Sequence, residues 1–248
     1  MTERWRKQII LFLVSQSITL FGSQIVQMAI VWYVTLQTGS GAWVAAFSLG
    51  SYLPQFFISF LGGVWADRYS RKQLIIWADT LIAAVTLAML LMMPRITESV
   101  MMLTALLLMS FIRSAGAGIQ NPAVNAAIAQ LVPEEHLMHY NGVNATMQSV
   151  AQFAAPAVAA VILTAGSLRA TLAIDLVTAA MGIGLLGCVW FPGRENTQEA
   201  PSAPAQIGAG LRYVFSCGVV RKVLIVYALF IFFTVPAGYL AGLSAGEK

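Results

Sequence analysis

Apolar residues in this chain come in long runs separated by short polar breaks. A helix needs about 20 mostly apolar residues to cross a bilayer. Seven segments qualify: residues 9–36, 42–66, 74–93, 100–119, 142–165, 168–191 and 223–240. The breaks carry turn signals: Thr38-Gly39-Ser40-Gly41, the cluster at 67–72, Pro94-Arg95, Asn121-Pro122 and Gly166-Ser167. The pattern predicts an all-α, multi-pass membrane protein. The first run is too long for the core of a cleaved signal and lacks a small-residue cleavage site, so it reads as a retained helix. Residues 192–204 form a polar linker rich in Pro, Ala, Ser and Glu. Beyond it, Leu211, Val214, Phe215 and Val219 stand between polar positions, which predicts a short helix lying on the membrane interface.

Composition supports the membrane reading. Of 248 residues, 58% are hydrophobic and 10% charged, against about 25% charged in a typical soluble domain. Lipid explains the missing charge, because a charged side chain near the bilayer centre costs roughly 2.5–3.5 kcal/mol on insertion scales. The net charge of +4 does not point to nucleic acid, because the basic residues sit in short clusters with no basic face. They orient the chain instead. One side holds Arg4, Arg6, Lys7, Arg68, Arg71, Lys72, Arg194, Arg212, Arg221 and Lys222; the other holds Arg95, Arg169 and Lys248. The N-terminus is therefore expected in the cytoplasm of a bacterial cell, with the chain in the inner membrane. Cys188 lies in an apolar run and Cys217 in a polar connection, which predicts neither a disulfide nor a metal site.

The connection after the second span reads Gly62-Gly63-Val64-Trp65-Ala66-Asp67-Arg68-Tyr69-Ser70-Arg71-Lys72. Gly63 is suited to close helix approach, Asp67 to accepting hydrogen bonds from neighbouring helix N-termini, and Arg68, Arg71 and Lys72 to pairing with carboxylates of a partner bundle or with anionic headgroups. The stretch resembles the signature of the major facilitator superfamily, Gly-x-x-x-Asp-Arg-x-Gly-Arg-Lys, with Ser70 in place of the second glycine. Arg113 with Gly116 and Gly118 is similar to the family's helix-four arginine motif. Ala155-Pro156 is similar to its antiporter helix-five motif, with alanines for glycines. Leu131-Val132-Pro133-Glu134-Glu135, followed by Asn141 and Asn144, and Gly210-Leu211-Arg212-Tyr213, look like the macrolide-efflux and enterobactin-exporter branch. The resemblance implies an N-terminal six-helix bundle of two inverted three-helix repeats over 1–191, a linker with an interfacial helix over 192–222, and the first helix of a second bundle over 223–248. It implies that the loop latches one state of an alternating-access cycle. It also implies proton-coupled export of amphipathic compounds such as drugs or siderophores, with no cofactor.

Several intramembrane residues are candidates for that work. Pro54 in span two and Pro156 in span five fall at roughly equivalent places in the two repeats, as do Asp79 in span three and Asp175 in span six. Asp79 and Arg113 are expected at equal depth, roughly 8–12 Å from the cytoplasmic ends of their spans at 1.5 Å per residue. They are expected to pair, either as a conformation-sensitive or proton-responsive switch or as a permanent structural ion pair. Asp175 lacks an obvious partner and reads either as a proton-exchanging carboxyl or as a helix–helix contact. Gln16, Ser23 and Gln27 share a face of span one, and Asn141, Asn144, Gln148 and Gln152 follow 3-4-4 spacing on span five. Amides facing lipid would be costly, so these stripes are expected to point inward, lining a substrate cavity or bonding between helices.

Rival functions are weaker. The Glu134-Glu135-His136-x-x-His139 stretch holds the only histidines, and solvated loop residues are the better reading than the metal site of a membrane enzyme. Residues 223–240 contain no lysine, which removes a retinal protein, and no phosphate-binding loop supports direct ATP drive. Expected partners are a small-molecule substrate, protons and membrane lipids, with no nucleic acid. The resemblance implies twelve helices in two halves, and this chain supplies the first half and a seventh helix. A truncated form missing its second bundle is the first expectation. A half-size carrier acting with a second copy and a nonfunctional remnant are the alternatives.

Overall fold

A computed structural model of the chain describes residues 2–192, 208, 212, 215–227 and 229. The chain divides into two compact units, Met1–Gln198 and Glu199–Lys248. The first unit contains helices α1 (Thr2–Thr38), α2 (Gly41–Arg68), α3 (Arg71–Met92), α4 (Ser99–Leu131), α5 (Leu137–Ala165) and α6 (Leu168–Cys188). Six helices among the described residues are long and apolar enough to cross a membrane. In the second unit, every described residue except Cys217 is helical. Of the predicted interfacial helix, residues 208, 212 and 215–221 are described and, Cys217 apart, are helical; most of the seventh span, 223–240, and nearly all of the linker lie outside the described residues.

The connections are shorter than the sequence suggests. The α1–α2 turn depends on Gly39, whose φ of 55° lies in the left-handed region that a side chain would strain. The loop expected after span two contracts to Tyr69 and Ser70: Asp67 and Arg68 belong to the last turn of α2, and Arg71 and Lys72 to the first turn of α3. The largest correction concerns α4. Asn121-Pro122 does not end the fourth span; Pro122 lies inside a helix that runs on to Leu131. A proline removes the donor for the carbonyl four residues earlier. Here that carbonyl is Gly118 O, and it is turned toward Gly62 of α2, where an added Cβ would come within 2.5 Å of it. The close fit of the two helices covers the break in the hydrogen-bond ladder.

Packing follows from which apolar faces meet. Helix α4 packs between α2 and α3, α1 packs between α5 and α6, and α3 lies against α6. Exchanging α1 with α4, α2 with α5 and α3 with α6 reproduces the same set of neighbours with chain direction reversed, the packing form of two inverted three-helix repeats. Two apolar cores result. One gathers Ile25, Val26, Ile30, Phe47, Leu106 and Leu172; the other, toward the end that carries the α2–α3 turn, gathers Ile9, Phe12, Ile75, Ile128 and Leu186. That second end is called the basic end below. Helices α2 and α5 are the least covered, with large exposed side chains such as Tyr52, Phe56 and Phe57 on α2 and Val150, Phe153 and Val161 on α5.

Candidate functional site

The register of α3 against α4 places the buried charges. The two helices run antiparallel, and both Asp79 with Gln120 and Thr86 with Arg113 meet across their contact. Arg113 lies roughly 21 Å along the helix from Ser99 and 27 Å from Leu131 at 1.5 Å per residue, so it stands near the middle of α4. Asp79 is about 12 Å from the start of α3 by the same rise, a full two turns short of Arg113. The expected Asp79–Arg113 pair is therefore not formed. The expectation measured depth from residue 119, whereas α4 continues to Leu131.

Arg113 pairs with Asp175 instead. Its Nη1 lies 2.5 Å from Asp175 Oδ2, with side-chain exposures of 7% and 2%, and Nη2 lies 3.5 Å from Oδ1. Thr86 on α3 completes the site: its hydroxyl contacts Arg113 Nη1 and also stands 3.1 Å from Asp175 Oδ2. Ser23 on α1 donates to Asp175 Oδ1 at 3.4 Å. One ion pair thus draws α1, α3, α4 and α6 together. Asp175 has a partner that the sequence reading did not find, because α6 meets α4 only through the fold. Small residues make room on α1 and α6: a Cβ on Gly22 would collide with Thr178, one on Gly182 would collide with Thr19, and Ser15 Oγ donates to Gly182 O at 2.8 Å.

Asp79 is buried and accepts a hydrogen bond from Gln120 Nε2 at 2.6 Å through Oδ1. Among the described residues its Oδ2 has no hydrogen-bond partner. Ser51, the buried neighbour of the α2 proline region, accepts from Gln27 Nε2 at 2.7 Å. Ser23 and Gln27, predicted on one face of α1, thus both bond between helices. Gln16 is buried, and its Nε2 has no partner among the described residues. On α5, Asn144 is buried and Gln148 half-buried, whereas Asn141 and Gln152 are exposed, so the amide stripe winds from the bundle interior to its surface. Pro54 is buried and Pro156 half-buried.

At the basic end, the motif residues engage the bundle itself. Lys72 Nζ donates to Gly187 O and Val189 O, both at 2.7 Å. These carbonyls close α6, where helical donors run out and a cation also meets the negative end of the helix dipole. Arg71 Nη1 donates to Gln130 Oε1 at 3.2 Å, and Gln130 Nε2 donates to Pro192 O at 2.9 Å. The close-approach role expected of Gly63 belongs to its neighbour. A Cβ on Gly63 meets nothing within 4 Å, whereas one on Gly62 meets α4. The histidines are engaged in ring packing: His136 stacks on Trp5 with centroids 5.3 Å apart, and His139 meets Tyr140 edge-on at 5.2 Å. Among the described residues no three His, Cys, Asp or Glu side chains converge as a metal site would require.

Comparison with known proteins gives this arrangement a family. Residues 12–246 match the Major Facilitator Superfamily. Macrolide efflux protein A of Streptococcus pyogenes is 34% identical over 190 residues, which covers 77% of this chain and 46% of that protein. Macrolide efflux protein A of Enterococcus faecalis is 36% identical over 138 residues, covering 56% of this chain and 42% of that protein. The chain therefore spans about half the length of the curated relatives it matches. Among solved structures, the peptide transporter POT in complex with sulfate aligns with a TM-score of 0.60 at 14% identity, over 94% of this chain and 47% of that one. A bacterial homolog of the human lysosomal transporter Spinster, inward-facing and unoccupied, aligns with a TM-score of 0.55 at 15% identity, over 83% and 47%. These two likenesses show a shared fold. With the six-helix inverted repeat and a match over nearly its whole length, the chain belongs to the major facilitator superfamily.

Proposed function

We propose that this chain provides the N-terminal bundle of a proton-coupled efflux carrier for amphipathic small molecules of the macrolide kind, working by alternating access from a bacterial inner membrane. The observation that carries the reading is the Arg113–Asp175 pair, sealed at mid-bundle. Ionisable groups at that depth are costly and mark coupling sites more often than scaffolding. The relatives supply the substrate class: both are named for macrolide efflux. In this reading a proton reaching Asp175 loosens Arg113, and α4 is then free to shift against α6. Asp79, with one carboxyl oxygen unpartnered, is the second protonatable position.

The basic end faces the cytoplasm, because Arg4, Arg6, Lys7, Arg68, Arg71 and Lys72 gather there. The partially exposed Gly63 and the exposed Asp67 and Arg68 form the surface against which a second bundle latches; the open space over Gly63 supports this. The weakly covered faces of α2 and α5 serve the same contact. That bundle comes from a further segment or from a second copy. Gln148 and Gln152 present amides to a substrate held between the bundles.

The test is macrolide accumulation in cells carrying the encoding gene. The reading predicts lower accumulation than in vector controls, restored to the control level by a protonophore or by Asp175→Asn. Accumulation that is low but insensitive to both would overturn proton coupling through this pair.

A further inference from the structure

The proline break of α2 is held by a residue of another helix. A proline inside a helix removes one i→i−4 hydrogen bond and crowds the preceding turn. One residue after Pro54, the amide of Gln55 donates to Ser114 Oγ of α4 at 3.1 Å. Ser114 Oγ in turn donates to Ser51 O at 2.5 Å. Gln55 N–H and Ser51 C=O are the pair that closes the next turn of an uninterrupted α-helix. A hydroxyl from α4 contacts both, at the turn where a proline leaves a helix freest to change its angle. Ser51 and Ser114 are both 6% exposed, so water is poorly placed to substitute. One turn further along α4, a Cβ on Gly118 would come within 2.9 Å of Gln55 O, so the two helices are keyed together at the break.

The same two neighbours of the break also hold the ion pair. Ser114 is adjacent to Arg113, which grips Asp175. On α1, Gln27 bonds Ser51 while Ser23, one turn earlier, bonds Asp175. Adjacent residues in one helical turn move as a rigid piece. A shift of α4 large enough to part Arg113 from Asp175 therefore carries Ser114 out of its position between Ser51 and Gln55.

We infer that Ser114 is a hinge pin, a positioning residue that makes the angle of α2 at Pro54 depend on the state of the Arg113–Asp175 pair. While the pair is closed, the hydroxyl holds both backbone groups and fixes the angle of α2 at Pro54. When the pair opens, those groups lose their bridge and α2 changes its angle beyond Pro54. The inference rests on the transport reading for its purpose, but the mechanical link is measurable without transport.

The experiment uses the purified chain in lipid nanodiscs with Cys188→Ser and Cys217→Ser, and spin labels at Ala45→Cys and Leu91→Cys. Both label positions are exposed. Ala45 stands nine residues beyond Pro54, roughly 13 Å along the helix, so a change of about 20° in a proline-type bend displaces that label by roughly 4–5 Å. The pair is opened in two ways, by Asp175→Asn and by Arg113→Lys, which keeps the charge but shortens the reach. Each is expected to shift the α2–α3 label distance by several ångströms. In a Ser114→Ala background, neither is expected to shift it further; in a Ser114→Thr background, which retains the hydroxyl, the shift is expected to return. Equal shifts with and without the Ser114 hydroxyl, or no shift in any background, overturn the hinge. Transport measured in parallel separates the two ideas: a wild-type protein that exports no macrolide yet shows the hydroxyl-dependent shift refutes the function and leaves the hinge standing.

Discussion

Removing one member of the Arg113–Asp175 pair exposes what the pair contributes. Asp175→Asn leaves a guanidinium with 7% exposure and no counter-charge. Arg113→Met leaves a carboxyl with 2% exposure held only by Thr86 and Ser23. At an effective dielectric of about 20, two unit charges 4 Å apart attract by roughly 4 kcal/mol. Breaking a buried pair by deleting one partner typically costs about 3–5 kcal/mol. Neutral interhelical hydrogen bonds in membranes average only about 0.6 kcal/mol, so the contacts to Thr86 and Ser23 together account for little over 1 kcal/mol. A single-mutant loss above about 2 kcal/mol therefore reports charge, not hydrogen bonding. The loss is expected to be larger for Asp175→Asn, because a guanidinium does not shed its proton whereas a stranded carboxyl neutralises by taking one. The double variant Arg113→Met with Asp175→Asn carries no charge and keeps polar contact with Thr86 and Ser23; it is expected to be more stable than Asp175→Asn alone. Unfolding of the purified protein by sodium dodecyl sulfate in mixed micelles, followed by helical circular dichroism, measures all four members of the cycle. Additive losses, with the double variant as damaged as the two singles summed, would show that the charges do not depend on each other and would refute the reasoning.

Three further outcomes follow from the same geometry. Gly62→Ala should lower stability in that assay by about 1–3 kcal/mol through overpacking, while Gly63→Ala, which meets open space, should stay within about 0.5 kcal/mol; equal effects would contradict the placement of α2 on α4. Lys72→Met removes the donor to Gly187 O and Val189 O and should cost about 1.5–3 kcal/mol, the worth of a hydrogen bond to a charged group, with faster backbone exchange confined to the end of α6. Asp79→Asn keeps an acceptor for Gln120 and removes no salt bridge but sets an amide donor at the buried position of Oδ2, so it should cost about 1–3 kcal/mol; a loss at or beyond about 5 kcal/mol, as for a broken buried ion pair, would mean that the carboxylate is charged and paired.

Six helices were legible in the sequence because the signal for a membrane span is simple: enough consecutive apolar residues to cover the bilayer. The end of α4 was not. Asn121-Pro122 reads as a stop, and only the Gly62–Gly118 fit, which joins helices far apart in the chain, explains why the helix continues. That local error propagated. With α4 cut short at residue 119, Arg113 reads as shallow and Asp79 as its partner, and Asp175 is left without one. Arg113, Asp175, Ser23 and Gln27 stand out in the sequence as polar residues within apolar runs, since the cost of polar groups in lipid is a property of residue type; in the fold the first two are buried and the other two half-buried. Thr86, Ser114, Ser51 and Gln120 were passed over. Hydroxyls are common in membrane helices, and what distinguishes these is which helix they meet. The one available clue was register: the α3 and α4 positions of Asp79 and Gln120, and of Thr86 and Arg113, fall at a constant offset along two antiparallel helices. Reading it requires knowing that α3 and α4 are neighbours. The Gly62–Gly63 pair failed for a related reason, because which of two adjacent glycines faces α4 depends on the rotation of α2.

The most direct test of the central claim is the proton dependence of macrolide export in cells carrying the encoding gene, compared between the wild type and Arg113→Lys. The account predicts macrolide accumulation below the vector control in the wild type, raised to that control by collapse of the proton gradient, and an Arg113→Lys variant that reaches the membrane in normal amount but exports nothing. Export by Arg113→Lys that remains proton-driven at the wild-type rate would contradict it.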